Sequence, residues 1–179
     1  MTRAREMPGV VERALFLSLG LLAVLMPLAP LGPAGALVVP DLLYCLVVGW
    51  MVRRPATAPL WAVLLLGLFG DVMLSRPIGL GALGLVLVSE WFRRWGRLFH
   101  SSPFPLEWLA ATVGFAALLA GSRVALALVF APAPSPGALA SYLFATALAY
   151  PIVVLGLAWC LRLRARRAQA VARPLGRLR

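Results

Sequence analysis

Charge is scarce in this sequence, and lysine is missing from it altogether. Only 13% of the 179 residues are charged, whereas 62% are hydrophobic. Soluble domains carry roughly 25% charged residues, so a water-soluble fold could not cover this much apolar surface. The composition therefore indicates a membrane protein, and the length suits one membrane domain without a second folded unit.

The missing lysine excludes a phosphate-binding loop of the GxxxxGK[ST] type. All 17 basic residues are arginines, and the net charge is +11. A basic excess can indicate nucleic-acid binding, but these arginines stand between apolar runs, where they typically fix the orientation of a membrane protein. We therefore expect membrane lipids, and no nucleic acid, as the neighbours of the arginines.

Histidine and cysteine are nearly absent as well. The single histidine, His100, and the two cysteines form no cluster of the kind that holds structural zinc. Cys45 lies midway along one apolar run and Cys160 near the end of another, so we expect different depths and no disulfide. Because no nucleophile stands beside a base, the sequence predicts no enzyme and no bound metal or cofactor.

Six apolar runs, separated by breaks rich in proline, glycine or arginine, are candidates for membrane-spanning helices. A spanning helix needs about 20 apolar residues. The predicted spans are 14–31, 34–52, 58–74, 77–92, 108–130 and 138–161. Residues 1–13 and 162–179 form the two tails, and the basic C-terminal tail suits anionic headgroups. The sequence thus predicts an all-α bundle of about six transmembrane helices.

The arginines alternate from one connection to the next. The N-terminal tail carries three, the second loop two, the fourth loop three and the C-terminal tail seven. The first and fifth loops carry none, the third carries Arg76, and Arg123 falls inside the fifth span. Because cytoplasmic loops hold the excess of arginine, this alternation predicts that both termini are cytoplasmic.

The second span is interrupted by Pro40. A helix from Pro40 to Val52 alone would be about 18–20 Å long, which is too short for a hydrocarbon core of about 30 Å. Either residues 34–39 complete the span across a proline kink, or they form a partly re-entrant segment packed on protein; we favour the kinked helix.

The first apolar run, residues 14–31, is predicted to be a retained helix, since it is longer than the apolar region of a signal peptide, which has about 7–15 residues.

Ionisable residues within the spans need a partner or a function, because each costs roughly 2.5–3.5 kcal/mol on insertion scales. Glu90 lies at helical pairing distance from Arg93 and Arg94, which predicts an ion pair at the inner end of the fourth span.

Three further charges are expected in the outer half of the bundle. Asp41 and Arg123 lie at about equal depth, ~10 Å from the outer boundary, so we expect them to pair. Asp71 lies near the outer end of the third span, where Arg76 can reach back to it. These charges either fix the register of the helices or line a polar pocket that opens outward for a ligand or a partner.

The fourth loop, residues 93–107, is expected to be the longest cytoplasmic connection. Its arginines, Arg93, Arg94 and Arg97, are interleaved with aromatic residues that include Trp95 and Phe99. One interpretation is an interfacial amphipathic segment, with the aromatic rings in the headgroups. The other is a docking surface for a cytoplasmic partner, in which Trp95 and Phe99 make the contact.

Two motifs suggest a family. The stretch "GDVMLSRPIGLGALG" contains a G-D-x5-P-x-G pattern with Asp71, Pro77 and Gly79, and "PDLLYCLVVGWMVRRP" opens with Pro40 and Asp41. Together with the length and the number of spans, these motifs resemble the rod shape-determining protein MreD family of the bacterial elongation machinery. The resemblance covers mainly residues 40–91, less than a third of the chain.

The resemblance implies a non-enzymatic, multi-pass protein of the bacterial inner membrane. The family supports lateral peptidoglycan synthesis and rod shape by binding MreC, and it works with the filament protein MreB and with RodA and its class B penicillin-binding protein partner. The implied fold is similar to the substrate-binding component of energy-coupling-factor transporters, a six-helix bundle with an outward-facing pocket.

A small-molecule-binding component of a membrane transporter is the alternative function. Such a pocket should show several convergent polar or aromatic groups, whereas the predicted spans hold few polar residues besides Asp41, Asp71 and Arg123. This sparseness favours a protein-interaction scaffold.

Overall fold

The structure, a computed structural model, describes residues 7–28, 38–101 and 103–172, with side chains for 9–28, 38–96 and 103–161. These residues form six α-helices and two short 3-10 turns, and no strand occurs among them. The prediction of an all-α fold with six helices is therefore confirmed.

The helices run up and down the bundle in chain order. They are α1 Met7–Leu25, α2 Leu42–Arg53, α3 Leu60–Met73, α4 Leu80–Ser101, α5 Phe104–Leu128 and α6 Pro136–Ala172, with 3-10 turns at Met26–Leu28 and Pro55–Thr57. The start of α2, the α3–α4 turn and the α5–α6 connection meet at what we call the Asp41 end. The α2–α3 and α4–α5 connections lie at the opposite end, the Arg53 end.

α2 occupies the centre of the bundle. Every residue from Leu43 to Val52 is buried, and the helix contacts α1, α4, α5 and α6. Phe16 of α1 packs on Trp50 with ring centroids 5.3 Å apart. With 12 residues, α2 is only about 18 Å long, but protein rather than lipid surrounds its backbone.

The predicted kinked helix over residues 34–52 is wrong, because Val38 to Asp41 are not helical and α2 begins at Leu42. Proline disfavours a helical conformation in the residue before it, and Asp41 caps the helix that follows. The other interpretation, a partly re-entrant segment over residues 34–39, stays a prediction, because residues 34–37 lie outside the described residues.

The expected long loop at 93–107 is also wrong. α4 continues to Ser101, and α5 begins just after Pro103. Phe92 and Gly96 lie one turn apart and both face the core: Phe92 is fully buried, and a Cβ added at Gly96 would lie 3.2 Å from a carbonyl oxygen of α2. This packing keeps the segment helical until proline ends it.

Three helical stretches are long and apolar enough to cross a membrane, namely Gly9–Leu28, Phe104–Leu128 and Pro136–Leu161. The outer faces carry exposed apolar side chains, among them Leu87 and Leu155, as expected where lipid is the solvent. α6 remains helical to Ala172, so the first part of the predicted C-terminal tail continues the last helix.

Candidate functional site

A cavity of about 290 Å³ opens at the Asp41 end of the bundle. Pro40, Asp41 and Asp71, which the two sequence motifs contain, all line it. Arg76 and Tyr142 complete its polar part, and apolar side chains of α1 to α5 form most of the remaining wall. The two motifs, about 30 residues apart in the chain, therefore border one site.

Asp41 is the centre of a hydrogen-bonded cluster in this site. Its Oδ1 accepts the backbone N–H of Tyr44 at 3.0 Å. Its Oδ2 accepts the Tyr142 hydroxyl at 2.7 Å and Nη1 of Arg76 at 3.2 Å. The backbone N–H of Asp41 donates to Oγ1 of Thr146 at 3.1 Å. The start of α2 is thereby tied to α6 and to the α3–α4 turn.

Arg76 closes the cluster, because it also donates through Nη2 to the Tyr142 hydroxyl at 2.7 Å. Its guanidinium carbon lies 5.6 Å from the centre of the Tyr142 ring, within cation–π range. Arg76 is 37% exposed and Asp41 15%, so the ion pair alone contributes about 1 kcal/mol or less in water. The cluster fixes the relative positions of Asp41, Arg76 and Tyr142, because each of the three side chains bonds to the other two.

Two predicted side-chain partners are wrong. Arg123 does not pair with Asp41: its guanidinium donates to the carbonyl oxygen of Pro134 in the α5–α6 connection. Arg76 does not reach back to the Asp71 carboxylate but extends to Asp41. The side chains that bond to Asp41 come from the α3–α4 turn and from α6, and not from α5.

Asp71 caps the start of α4 and is only 2% exposed. Its Oδ2 accepts the backbone N–H groups of Gly79 at 2.9 Å and Ala82 at 3.1 Å. Its own carbonyl oxygen accepts the N–H of Arg76 at 2.8 Å. The first N–H groups of a helix lack partners within it, and a carboxylate there also suits the helix dipole. These bonds give Asp71 a structural role.

The motif glycines make this cap possible. Gly79 has a φ of +92°, which side chains with a Cβ rarely adopt. A Cβ at Gly81 would overlap Oδ1 of Asp71. The carbonyl oxygen of Pro77 accepts the N–H of Leu80 at 3.2 Å and starts the helix. The G-D-x5-P-x-G pattern therefore describes a tight turn between two helices with an acidic cap.

A second buried polar cluster, which the sequence analysis missed, lies at the Arg53 end. Glu107 is 5% exposed. Its Oε1 accepts Nη1 of Arg53 and the Tyr150 hydroxyl, each at 2.8 Å, and its Oε2 accepts Nη2 of Arg53 at 3.3 Å. The available signal was Pro103 and Pro105, since proline suits the first turn of a helix and so places Glu107 inside α5.

The expected pairing of Glu90 is confirmed for Arg93, whose Nε lies 2.8 Å from Oε1 of the glutamate. Arg93 also donates to the carbonyl oxygens of Pro55 at 3.0 Å and Ala58 at 2.7 Å. This arginine therefore joins α4 to the α2–α3 connection.

The other residues of the predicted docking surface are described in part. Arg94 is exposed, and Trp95 is 54% exposed. The side chains of Arg97 and Phe99 lie outside the described residues, although both stand on the helical backbone of α4.

Comparison with protein-family models, with curated proteins and with solved structures finds no match for this chain.

Proposed function

We propose that this chain is a non-enzymatic scaffold of the bacterial cell-wall elongation machinery, which resides in the inner membrane and binds MreC. The observation that carries the proposal is the meeting of the two motifs of the MreD resemblance at one cavity, lined by Pro40, Asp41 and Asp71. MreB, RodA and the class B penicillin-binding protein are its further partners, and rod shape depends on it.

The bonding of the polar groups in the cavity supports a scaffold. Both carboxylate oxygens of Asp41 accept hydrogen bonds, and the Asp71 carboxylate accepts a backbone N–H at the start of α4. A set of groups that satisfy one another gives a rigid, preorganised rim, which suits the docking of a protein segment.

The orientation of the bundle belongs to the same proposal. The described arginines of α1 and α4 and those at the end of α2 gather at the Arg53 end; they are Arg13, Arg53, Arg54, Arg93 and Arg94. By the positive-inside rule this end faces the cytoplasm, and the cavity faces the periplasm. A thiol introduced as Ile78→Cys should react with a membrane-impermeant maleimide on intact cells, whereas one introduced as Ala56→Cys should not. Labelling of position 56 alone would show that the Arg53 end faces the periplasm and would contradict the proposed orientation.

Binding to MreC can be measured by co-purification from cells that co-express both proteins. Leu74 lines the cavity, so Leu74→Trp should fill it and reduce recovery of MreC. Leu148, which is 52% exposed on α6, provides the control Leu148→Trp, which should retain MreC. If the wild-type chain recovers no MreC, the proposal fails; if Leu74→Trp recovers as much as the control, the cavity is not the binding site.

The alternative, a small-molecule-binding transporter component, is favoured by the cavity volume of about 290 Å³, near the lower limit of ligand pockets, which is about 300 Å³. Mass spectrometry of the purified protein tests it. A small molecule that accompanies the wild-type chain and is lost from Leu74→Trp would place this function first.

A further inference from the structure

A second groove, of about 190 Å³, lies at the Asp41 end between α4, α5 and α6. Its wall is mostly apolar and includes Leu118, Leu119 and Leu139. Two arginines, Arg76 and Arg123, also line it. The groove shares Arg76, Gly81, Leu118 and Tyr142 with the cavity at Asp41.

The groove carries an excess of positive charge. Among the described residues, no carboxylate pairs with Arg123, whose guanidinium donates to the carbonyl oxygen of Pro134. The acids near this end are already engaged, Asp41 with Arg76 and Asp71 with the start of α4. An arginine in apolar surroundings is costly unless an anion or hydrogen-bond acceptors compensate it. The carbonyl oxygen of Pro134 engages Arg123 but carries no charge, so an anionic group could still neutralise the positive charge of the groove.

The surroundings of the groove indicate that this group comes from lipid. The turns at the Asp41 end expose large apolar side chains: Ile78 is 75% exposed, Val129 70% and Phe130 96%. Apolar side chains beside arginines are typical of the boundary between headgroups and acyl chains. An occupant of this groove would therefore meet charge at one part of its wall and leucine side chains at another.

We propose that the groove binds one anionic phospholipid, with its phosphate near Arg76 and Arg123 and an acyl chain along the leucines of α4, α5 and α6. Arginine matches phosphate oxygens by charge and by the geometry of its N–H groups. The proposal does not rest on the binding of MreC, although the groove and the cavity have Arg76 and Tyr142 in common.

Native mass spectrometry of the full chain in detergent, titrated with phosphatidylglycerol or phosphatidylcholine, tests the proposal. The wild-type chain should retain one phosphatidylglycerol in preference to phosphatidylcholine. Arg123→Gln should weaken that binding roughly tenfold, as the loss of one charge-assisted hydrogen bond predicts. Arg94→Gln removes the same charge from the exposed surface of α4 at the opposite end and should leave the binding unchanged.

A second variant tests the apolar part without altering charge. Leu119→Trp should fill the groove and also weaken phosphatidylglycerol binding, whereas Leu109→Trp, on an exposed face of α5, should not. Circular dichroism verifies that each variant is folded. Equal losses for Arg123→Gln and Arg94→Gln would overturn the site, and so would binding of glycerol phosphate as strong as that of the whole lipid.

Discussion

Gly81 lies against the carboxylate of Asp71, so closely that a Cβ at position 81 would overlap Oδ1. The same carboxylate accepts N–H groups of Gly79 and Ala82 through Oδ2. Acid and glycine therefore form one unit: the acid satisfies the start of α4, and the glycine leaves room for it. This relationship explains why an apolar stretch contains an aspartate and several glycines.

Gly81→Ala should destabilise the fold by about 1–3 kcal/mol, the usual cost of forcing a methyl group into a packed site. The added methyl would push the Asp71 carboxylate away from the N–H groups that it caps. Thermal unfolding in detergent micelles, followed by circular dichroism, measures the change.

Gly121 provides the matched control, since a Cβ there meets nothing within 4 Å. Gly121→Ala lies in the interior of α5 and should be neutral or stabilising by up to about 1 kcal/mol, because alanine favours the helix. Equal stability of the two alanine variants would show that the contact with Asp71 does not constrain position 81.

The number and order of the helices could be predicted because apolar runs and proline-rich breaks are properties of the sequence itself. The partners of the buried charges could not, because depth along a helix says nothing about its rotation or its neighbours. Asp41 illustrates this limit: the sequence predicts a similar depth for Arg123, but α6 and the α3–α4 turn supply the groups that bond to Asp41.

The assignment of 93–107 to a loop has a different cause. Arginines and aromatic residues are typical of a connection, but no proline interrupts the segment before Pro103. The core contacts of Phe92 and Gly96 extend α4 through it, and α5 then begins early enough to bury Glu107. The end of α4 and the start of α5 are therefore set by tertiary packing, which residue composition does not reveal.

Asp41 should be energetically coupled to Arg76. Asp41→Asn, Arg76→Gln and the double variant form a cycle in which the double variant should lose less than the sum of the single losses. Residues that share a hydrogen-bond network couple by about 0.5–3 kcal/mol. The free energies of unfolding, measured by denaturant titration in micelles, give the coupling.

The same cycle with Arg123→Gln in place of Arg76→Gln is the control. It should be additive within about 0.5 kcal/mol, because Arg123 bonds to the carbonyl oxygen of Pro134. A larger coupling of Asp41 to Arg123 than to Arg76 would contradict the arrangement at the Asp41 end.

The buried Glu107 should contribute far more to the free energy of unfolding than an acid at the surface. Glu107→Gln leaves Arg53, which is 18% exposed, without a countercharge, and removing one partner of a buried ion pair costs about 3–5 kcal/mol. Glu12→Gln breaks the more exposed pair with Arg54, in which the arginine is 45% exposed, and should cost about 1 kcal/mol or less. Similar melting temperatures for the two variants would refute this ranking.

Trp108 should contribute to stability by satisfying a carbonyl group that Pro151 leaves without a partner. Its indole Nε1 donates to the carbonyl oxygen of Ala147 at 2.8 Å, four residues before Pro151 in α6, and proline has no N–H to offer that oxygen. Trp108→Phe should therefore cost about 1 kcal/mol in the wild-type chain. In a Pro151→Ala background the helical N–H is restored, so the same substitution should cost less.

Trp159→Phe, at a site 65% exposed on α6, is the control and should have little effect in either background. Unfolding free energies of these six chains decide the matter: an equal cost of Trp108→Phe with and without Pro151 would mean that the indole stabilises the bundle by packing and not by bonding to that carbonyl.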